Sequence, residues 1–415
     1  MGNLQVIVIG AGTGGLALAH GLRANGIAVR VFERDHNLTG RAQGYRLTIN
    51  ARGARALQSC LPRANFEHYV AASAKVSTAV SFFDHRLRRL LFVEAPNTEQ
   101  TDPHAARPIS RGALRQILAE GLEDTVAYGK TFQSFEKTQG GQIAARFEDG
   151  SSAGGDVLVG ADGAASRVRR QLLPDAKRVE TGLVMVMGKV PLDPLVRREA
   201  PSGVFKGPTL FLGPGGCSMF AGAVEYPPSQ GSDYDREEYV MWGFSAHHDS
   251  FGLASAAGEV ALADARAAVL APMTDWSPNL RRLVERADTS SLSSFAVKSS
   301  VPVAPWATSR VTLLGDALHN MTPFRGIGAN TALRDAVLLR DTLVGAGRGE
   351  RDVLAALAHY EREMIGYGFA AVRASLANMK RLHARSPVSR LATRAFFRLA
   401  DSSPWLRKRT IDTGS

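Results

Sequence analysis

A short apolar strand that runs straight into glycines constrains this chain more than any other feature. Residues 6–9 read Val-Ile-Val-Ile and lead into Gly10-Ala11-Gly12-Thr13-Gly14-Gly15, after which Leu16 to Leu22 is compatible with a helix. A second β-rich run, Ala28 to Phe32, closes on Glu33. Strand, glycine turn, helix and a second strand ending in an acid form the context in which G-x-G-x-x-G signals dinucleotide binding. Each position has a physical task. Gly10 permits the tight turn, Gly12 lets the backbone approach a pyrophosphate, and Gly15 lets helix and strand pack closely. The N–H groups and positive dipole end of the helix then point at the phosphates, and Glu33 is placed to accept from ribose hydroxyls. A glycine-rich turn on a buried strand, with no ligand, leaves the acid unexplained.

With 415 residues, 45% of them hydrophobic and 21% charged, the chain is globular and long enough for two or three cores. No uncharged apolar run reaches the roughly 18 residues that span a bilayer. No leader segment is expected before the first strand, and the expected location is the cytoplasm. The two cysteines, Cys60 and Cys217, are too few for a disulfide scaffold or a four-cysteine metal site. They are expected to be packed, unpaired thiols, and no metal site is expected. Lys and Arg outnumber Asp and Glu by 50 to 39, a net charge of +11. Part of that excess lies between Arg373 and Arg409, without zinc-finger spacing or an RNA-binding motif, so no nucleic-acid partner is expected. A solvated basic face is the first reading of this tail, and weak peripheral contact with a membrane is the second.

Further along, Tyr45 to Asn50 alternates like a strand and residues 51–61 read as a helix stopping before Pro62. Lys75 to Val93 reads as a hairpin about Asp84-His85, and Ser110 is placed to cap a helix that begins with Arg111. Val157-Leu-Val-Gly-Ala-Asp162-Gly163 is a second strand running into glycine and acid, followed by Ser166 and Arg169. Strands are expected at Leu183–Val190, Val204–Leu212, Cys217–Tyr226 and Glu238–Ala246, then helices at 258–271 and 278–287 and a strand at Leu292–Lys298. This block has the one-face-polar pattern of a separate antiparallel sheet. A third strand, Val311 to Leu314, ends in Gly315-Asp316. It leads through His319, Met321, Thr322, Pro323, Phe324, Gly326, Gly328, Ala329 and Asn330 into a helix at Thr331–Leu343. Helices at 350–384 and past Pro387 follow.

Three strand-to-turn motifs exceed what one nicotinamide nucleotide needs and fit a long ligand held at several points. Together they resemble the single-component FAD-dependent aromatic hydroxylases of the p-hydroxybenzoate hydroxylase fold, over about residues 4–385. The resemblance implies an α/β architecture: a Rossmann-like FAD-binding domain, an inserted antiparallel-sheet substrate domain and C-terminal helices. On that plan 1–72, 99–182 and 300–385 build the FAD-binding domain. Residues 73–98 form a substrate-domain hairpin, 183–299 the substrate domain and 386–415 a basic tail. The resemblance also implies non-covalent FAD cradled by Gly10, Gly12, Thr13, Gly14 and Gly15. Glu33, with Arg34 beside it, would hold the adenosine ribose; Arg41 and Arg111 would meet the phosphate or ribityl portion. Asp316 would bind the ribityl hydroxyls or, through its turn, the phosphate region, and Asp162 would serve the fold and cofactor together. Pro323 would lie beside the ring system, with Gly326, Gly328, Ala329 and Asn330 opening a helix toward its pyrimidine edge. Tyr45, Arg46, His319, Met321 and Phe324 are pocket candidates, though for His319 a packed turn residue is the first reading.

The activity implied is an NADPH- or NADH-consuming monooxygenase of secondary metabolism. It would insert one atom of O₂ into an aromatic or polyketide-like small molecule through a flavin C4a-hydroperoxide, as monomer or homodimer. No protein nucleophile or base is required. The alternatives are an FAD-dependent reductase or dehydrogenase of the same fold that inserts no oxygen, and a non-catalytic flavin-binding protein.

Overall fold

The computed structural model describes residues 4–38, 46–95, 99–228, 234, 236–255 and 257–403. Arg41 and Tyr45 lie outside the described residues. The chain divides into two compact units: Met1–Ala72, Ile109–Val179 and Ser299–Ala374 form the first, and Ser73–Pro108, Glu180–Lys298 and Ser375–Ser415 the second.

In the first unit, β1 (Gln5–Ile9) leads to α1 (Thr13–Ala24) and β2 (Ala28–Phe32), followed by β3 (Arg46–Ile49) and α2 (Ala51–Cys60). Beyond the excursion into the second unit come α3 (Arg111–Ala119), β4 (Val126–Ala127), β5 (Val157–Gly160) and α4 (Arg167–Leu172). The unit closes with β6 (Val311–Leu313), α5 (Asp316–His319), α6 (Gly328–Gly347) and the start of α7 (Val353–Leu382). Five strands form one sheet in the order β6-β5-β1-β2-β4, every pair parallel. Its central strands are buried on both faces, which is why they read as unbroken apolar runs rather than alternating ones. The register matters most. Ile9 pairs with Gly160, and Gly160 with Leu313. The three glycine turns therefore leave the same edge of the sheet at the same level, the edge where open α/β sheets bind ligands.

The second unit carries a seven-stranded sheet in the order Ser293–Ser300, Arg178–Pro191, Tyr239–His247, Ser218–Val224, Thr209–Leu212, Ala79–Asp84, Arg89–Glu94. From Arg178–Pro191 onward its pairs are antiparallel except Thr209–Leu212 with Ala79–Asp84, which run parallel. The strand expected from Val204 starts only at Thr209. Ser202–Phe205 is a 3₁₀ turn, and Gly207, at φ 147°, passes so near the next strand that a Cβ would lie 2.3 Å from the Ala79 carbonyl. The helix expected over 258–271 forms only at Ala265–Leu270. Trp242, Phe211, Phe244 and Met219 centre the core, with Trp276 packed on Phe244 at 5.6 Å between ring centroids. A final helix, α8 (Pro387–Ser402), lies on the Arg89–Glu94 strand.

Both cysteines are buried and free. Burial pushes the Cys60 thiol up and that of Cys217 to about 11, so neither is a ready nucleophile. Among the described residues no helix is long and apolar enough to cross a membrane.

Candidate functional site

The glycines of the first turn divide by what surrounds them. Gly10 has φ 110°, and a Cβ there would sit 2.5 Å from the Ala161 carbonyl, so the first turn is pressed against the second motif. At Gly15 a Cβ would lie 2.2 Å from the Gly10 carbonyl, and at Gly14 it would lie 2.4 Å from Leu314 Cδ2. These glycines serve packing. Gly12 is exposed, and among the described residues nothing stands within 4 Å of where its Cβ would be. It is the N-cap of α1, with no side-chain cap and no acid in the first turn. The first-turn N–H groups and the positive dipole end are thus left beside open space, an arrangement suited to a phosphate.

Glu33 sits at the tip of β2, buried, with Oε2 accepting from the Ala11 N–H at 2.8 Å and Oε1 from the Asp35 N–H at 3.0 Å. Each oxygen keeps a further lone pair for a ribose hydroxyl. Arg115 on α3 completes the bracket: its guanidinium lies 3.5 Å from Glu33 Oε2 and 3.2 Å from Asp35 Oδ2, and Nε donates to the Ala11 carbonyl at 3.3 Å. The sequence reading missed Arg115. The available signal was its place one helical turn after Arg111. Arg34 is exposed on the same loop.

In the second motif, Asp162 Oδ2 accepts from the Arg167 and Val168 N–H groups at 2.7 and 3.3 Å, while Ser166 supplies the N-cap of α4. Asp162 Oδ1 is buried without a hydrogen-bond partner among the described residues, and burial raises this carboxyl above its usual range. Arg169 makes no ion pair with Asp162 among the described residues. It donates to the Ala164 carbonyl at 3.2 Å and the Ala317 carbonyl at 2.7 Å, which ties the second motif to the third. Arg178 does similar work, reaching Asn320 Oδ1 at 3.1 Å and the Ala164 carbonyl at 3.0 Å.

The third motif turns at Gly315, with φ 64° and ψ −137°. Asp335 on α6 accepts from its N–H at 2.8 Å, approaches His319 Nε2 at 2.7 Å and accepts from the Tyr367 hydroxyl at 2.6 Å. His319 is 1% exposed and wedged against Gly368, where a Cβ would come within 2.6 Å of the ring. It stands behind the turn and lines no open surface. Burial alone would lower its pKa, but the charge and hydrogen bond of Asp335 outweigh that and raise it. Neither Asp335 nor Tyr367 was singled out in the sequence, because a polar residue on a long helix reads as surface until its partners are known.

Asp316 is exposed at the start of α5. Arg111 is exposed too and has no hydrogen-bond or ion-pair partner among the described residues; Ser110, expected to cap α3, makes no side-chain capping bond. Surrounding protein lowers the Arg111 guanidinium below its ordinary range, and the charge of Asp316 acts in the opposite direction. A cation that the surrounding protein disfavours and that has no partner among the described residues suits an anionic ligand. The start of α6 is also uncapped, and a Cβ at Gly328 would lie 3.9 Å from Asp316 Oδ1. Asn330 points elsewhere: it donates to the Thr48 carbonyl and accepts from the Asn50 N–H, both at 2.9 Å, clamping β3 to α6. Pro323 and Gly326 are exposed, Phe324 and Ala329 half-buried, and Met321 and Arg46 buried. The structure thus gathers Arg111, Asp316 and Gly328 at one sheet edge, with the Gly12 turn joined to it through Gly14 and Leu314. His319, Met321 and Arg46 lie inside the unit.

A family model described as FAD binding domain matches residues 3–220 and 278–375. The chain is 29% identical over 384 residues to the dual O-methyltransferase/FAD-dependent monooxygenase CTB3 of Cercospora beticola, covering 86% of this chain and 44% of that one. It therefore spans less than half the length of that relative. To the aurachin C monooxygenase/isomerase of Stigmatella aurantiaca it is 30% identical over 361 residues, covering 86% of this chain and 84% of that one. Among solved structures, a candidate FAD-containing monooxygenase from Photorhabdus luminescens subsp. laumondii matches with a TM-score of 0.83 and 34% identity, over 92% of this chain and 100% of that one.

Proposed function

This chain belongs to the FAD binding domain family, with flavin-dependent monooxygenases as its relatives, and on that premise we propose that it inserts one atom of O₂ into an aromatic, polyketide-like small molecule at the expense of NAD(P)H. One observation carries the reading: three strand ends that run into glycine turns stand level on one edge of a parallel sheet, with an uncapped helix start, a guanidinium that has no partner among the described residues and an exposed carboxylate among them. That donor set fits FAD, an elongated dinucleotide with a charged centre and a polyhydroxyl chain.

The Gly12 backbone and first-turn N–H groups of α1, with Thr13, Gly14 and Gly15 behind them, take the pyrophosphate. Glu33 accepts from the adenosine ribose and Arg34 flanks it. Arg111 neutralises the phosphate or ribityl region, and Asp316 accepts from ribityl hydroxyls. The N–H groups at the start of α6, from Gly326 through Asn330, stabilise negative charge on the pyrimidine edge, with Pro323 beside the ring. Asp162 shapes the second turn. When bound, FAD supplies the redox chemistry, taking hydride from NAD(P)H and activating O₂. The balance is RH + O₂ + NAD(P)H + H⁺ giving ROH + NAD(P)⁺ + H₂O. The first unit is the FAD-binding domain and the second the substrate domain, in a cytoplasmic monomer or homodimer.

The test uses FAD-loaded protein, NADPH or NADH and a panel of phenols and fused-ring aromatics, with O₂ uptake and product mass recorded together. Equal consumption of reductant and O₂, with a product one oxygen atom heavier, is expected. Reduced or dehydrogenated product without O₂ uptake makes the protein a reductase or dehydrogenase. A bound flavin that no nicotinamide reduces, with or without aromatics, makes it a flavin-binding protein.

A further inference from the structure

We propose that α8 seats this protein on an anionic phospholipid bilayer. The helix has two apolar faces, and only one is used within its own unit. Inward, Phe397 stacks on Phe82 at 4.6 Å between ring centroids and Ala400 is buried, while Asp401 accepts from the Phe92 N–H at 2.9 Å and pairs with Arg89 at 3.2 Å. On the opposite side Val388, Leu391 and Leu399 are 76%, 70% and 64% exposed, and Ala392 and Ala395 are exposed between them. The steps of three, four and seven put all five on one stripe. A helix already anchored by its other face gains nothing for folding from large aliphatics left in water, so the outer stripe points to something that covers it.

Charge identifies the occupant. Arg398 borders the stripe, seven residues on from Leu391, and Arg390 and Arg394, eight and four positions before it, turn progressively toward the inner face. Arg390 bonds only the Arg385 carbonyl at 2.7 Å and Arg394 only the Leu212 carbonyl at 3.3 Å, both neutral, and Arg398 is exposed with no partner among the described residues. The one acid on the helix, Asp401, is already held by Arg89. The sequence continues Pro404-Trp405-Leu406-Arg407-Lys408-Arg409. An apolar strip with the uncompensated Arg398 at its border, followed in the sequence by a tryptophan and three more cations, is the chemistry of the anionic headgroup boundary. A second copy of the chain fits poorly. It would bring arginine rows together on a protein of charge +11. A 16-residue helix is about 24 Å long, so a stripe about 10 Å wide offers roughly 240 Å², well below the ~800 Å² per partner of a stable interface. The surface stands whatever the sheet edge binds.

Co-sedimentation of the full-length FAD-loaded protein with vesicles tests it. One set is pure phosphatidylcholine and the other contains phosphatidylglycerol. Partition into the anionic vesicles is expected to exceed that into neutral ones by about tenfold or more and to fall with added salt. The pair Leu391→Gln and Leu399→Gln lies on exposed positions and leaves the fold intact by circular dichroism. It should lower anionic partition by about tenfold, and Arg398→Gln should lower it less. No partition into anionic vesicles, or equal partition of the wild type and the leucine pair, overturns the proposal. So does a dimer in sedimentation velocity that the leucine pair dissociates, since that assigns the stripe to self-association.

Discussion

His319 Nε2 lies 2.7 Å from Asp335 Oδ2, with both side chains closed off from solvent. The same carboxylate accepts from the Gly315 N–H and the Tyr367 hydroxyl, so one buried anion holds the positive-φ turn from behind. Asp316, the next residue, is exposed on the opposite side of that turn. Presentation of Asp316 to a cofactor thus depends on a cluster that has no surface of its own.

Asp335→Ala should therefore be among the most damaging single changes in the first unit, costing about 3–5 kcal/mol because it strands a buried cation and a buried N–H. The pH dependence follows from His319. Its folded pKa is raised above the ordinary value, so its contribution is complete below about pH 6.5 and fades as pH rises through the folded value. Urea unfolding of wild type and His319→Gln between about pH 6 and 9 should show the stability gap narrowing toward alkaline pH. A gap that stays constant rules out a charged pair.

Gly12 and Gly15 should respond to alanine in opposite ways. At Gly15 the new methyl would sit 2.2 Å from the Gly10 carbonyl, and the strand and helix must part, so the melting temperature should fall by several degrees even without FAD. At Gly12 φ is −84° and the Cβ direction is open, so the apo-protein should melt as wild type does. Its loss should appear in flavin binding, about tenfold or more in Kd by fluorescence titration. If Gly12→Ala destabilises the apo-protein instead, that glycine is structural.

Arg111→Gln removes a cation that has no partner among the described residues and that the surrounding protein already disfavours. The apo-protein should be unchanged or slightly more stable. FAD affinity should drop by roughly 10- to 100-fold, the worth of one charge-assisted contact, and depend less on salt. Unaltered affinity would remove Arg111 from the cofactor site.

The three turns could be read before any fold was known, because β1 runs into G-x-G-x-x-G while β5 and β6 each run to a glycine with an acid one or two residues on. Gly10, Asp162 and Gly315 mark three turns, and parallel pairing placed them level. What could not be read is what each polar side chain does. Asn330 belongs to a motif that opens α6, yet its amide clamps Thr48 and Asn50, partners far away in sequence. Arg169 follows Asp162 in the second motif, yet it holds the Ala317 carbonyl of the third. The parallel pairing of Thr209–Leu212 with Ala79–Asp84 was equally hidden, since alternation reports which face a strand buries and not the direction of its neighbour.

The second unit has its own titrating element. His383, buried at the end of α7, donates from Nδ1 to the Met379 carbonyl, so Nε2 is left to accept from the hydroxyls of Ser218 and Ser245 at 2.9 and 2.8 Å. Burial lowers its pKa from 6.5 to about 4, with nearby His247 pushing the same way. The folded chain therefore binds fewer protons than the unfolded one between those values. Stability from this site is complete above about pH 6.5 and lost as pH falls toward 4, a difference worth roughly 3 kcal/mol. Denaturation of wild type across that range should show stability dropping with acid, and His383→Gln should remove most of the slope while costing stability at neutral pH. A variant that keeps the full acid slope would place the titrating group elsewhere in the chain.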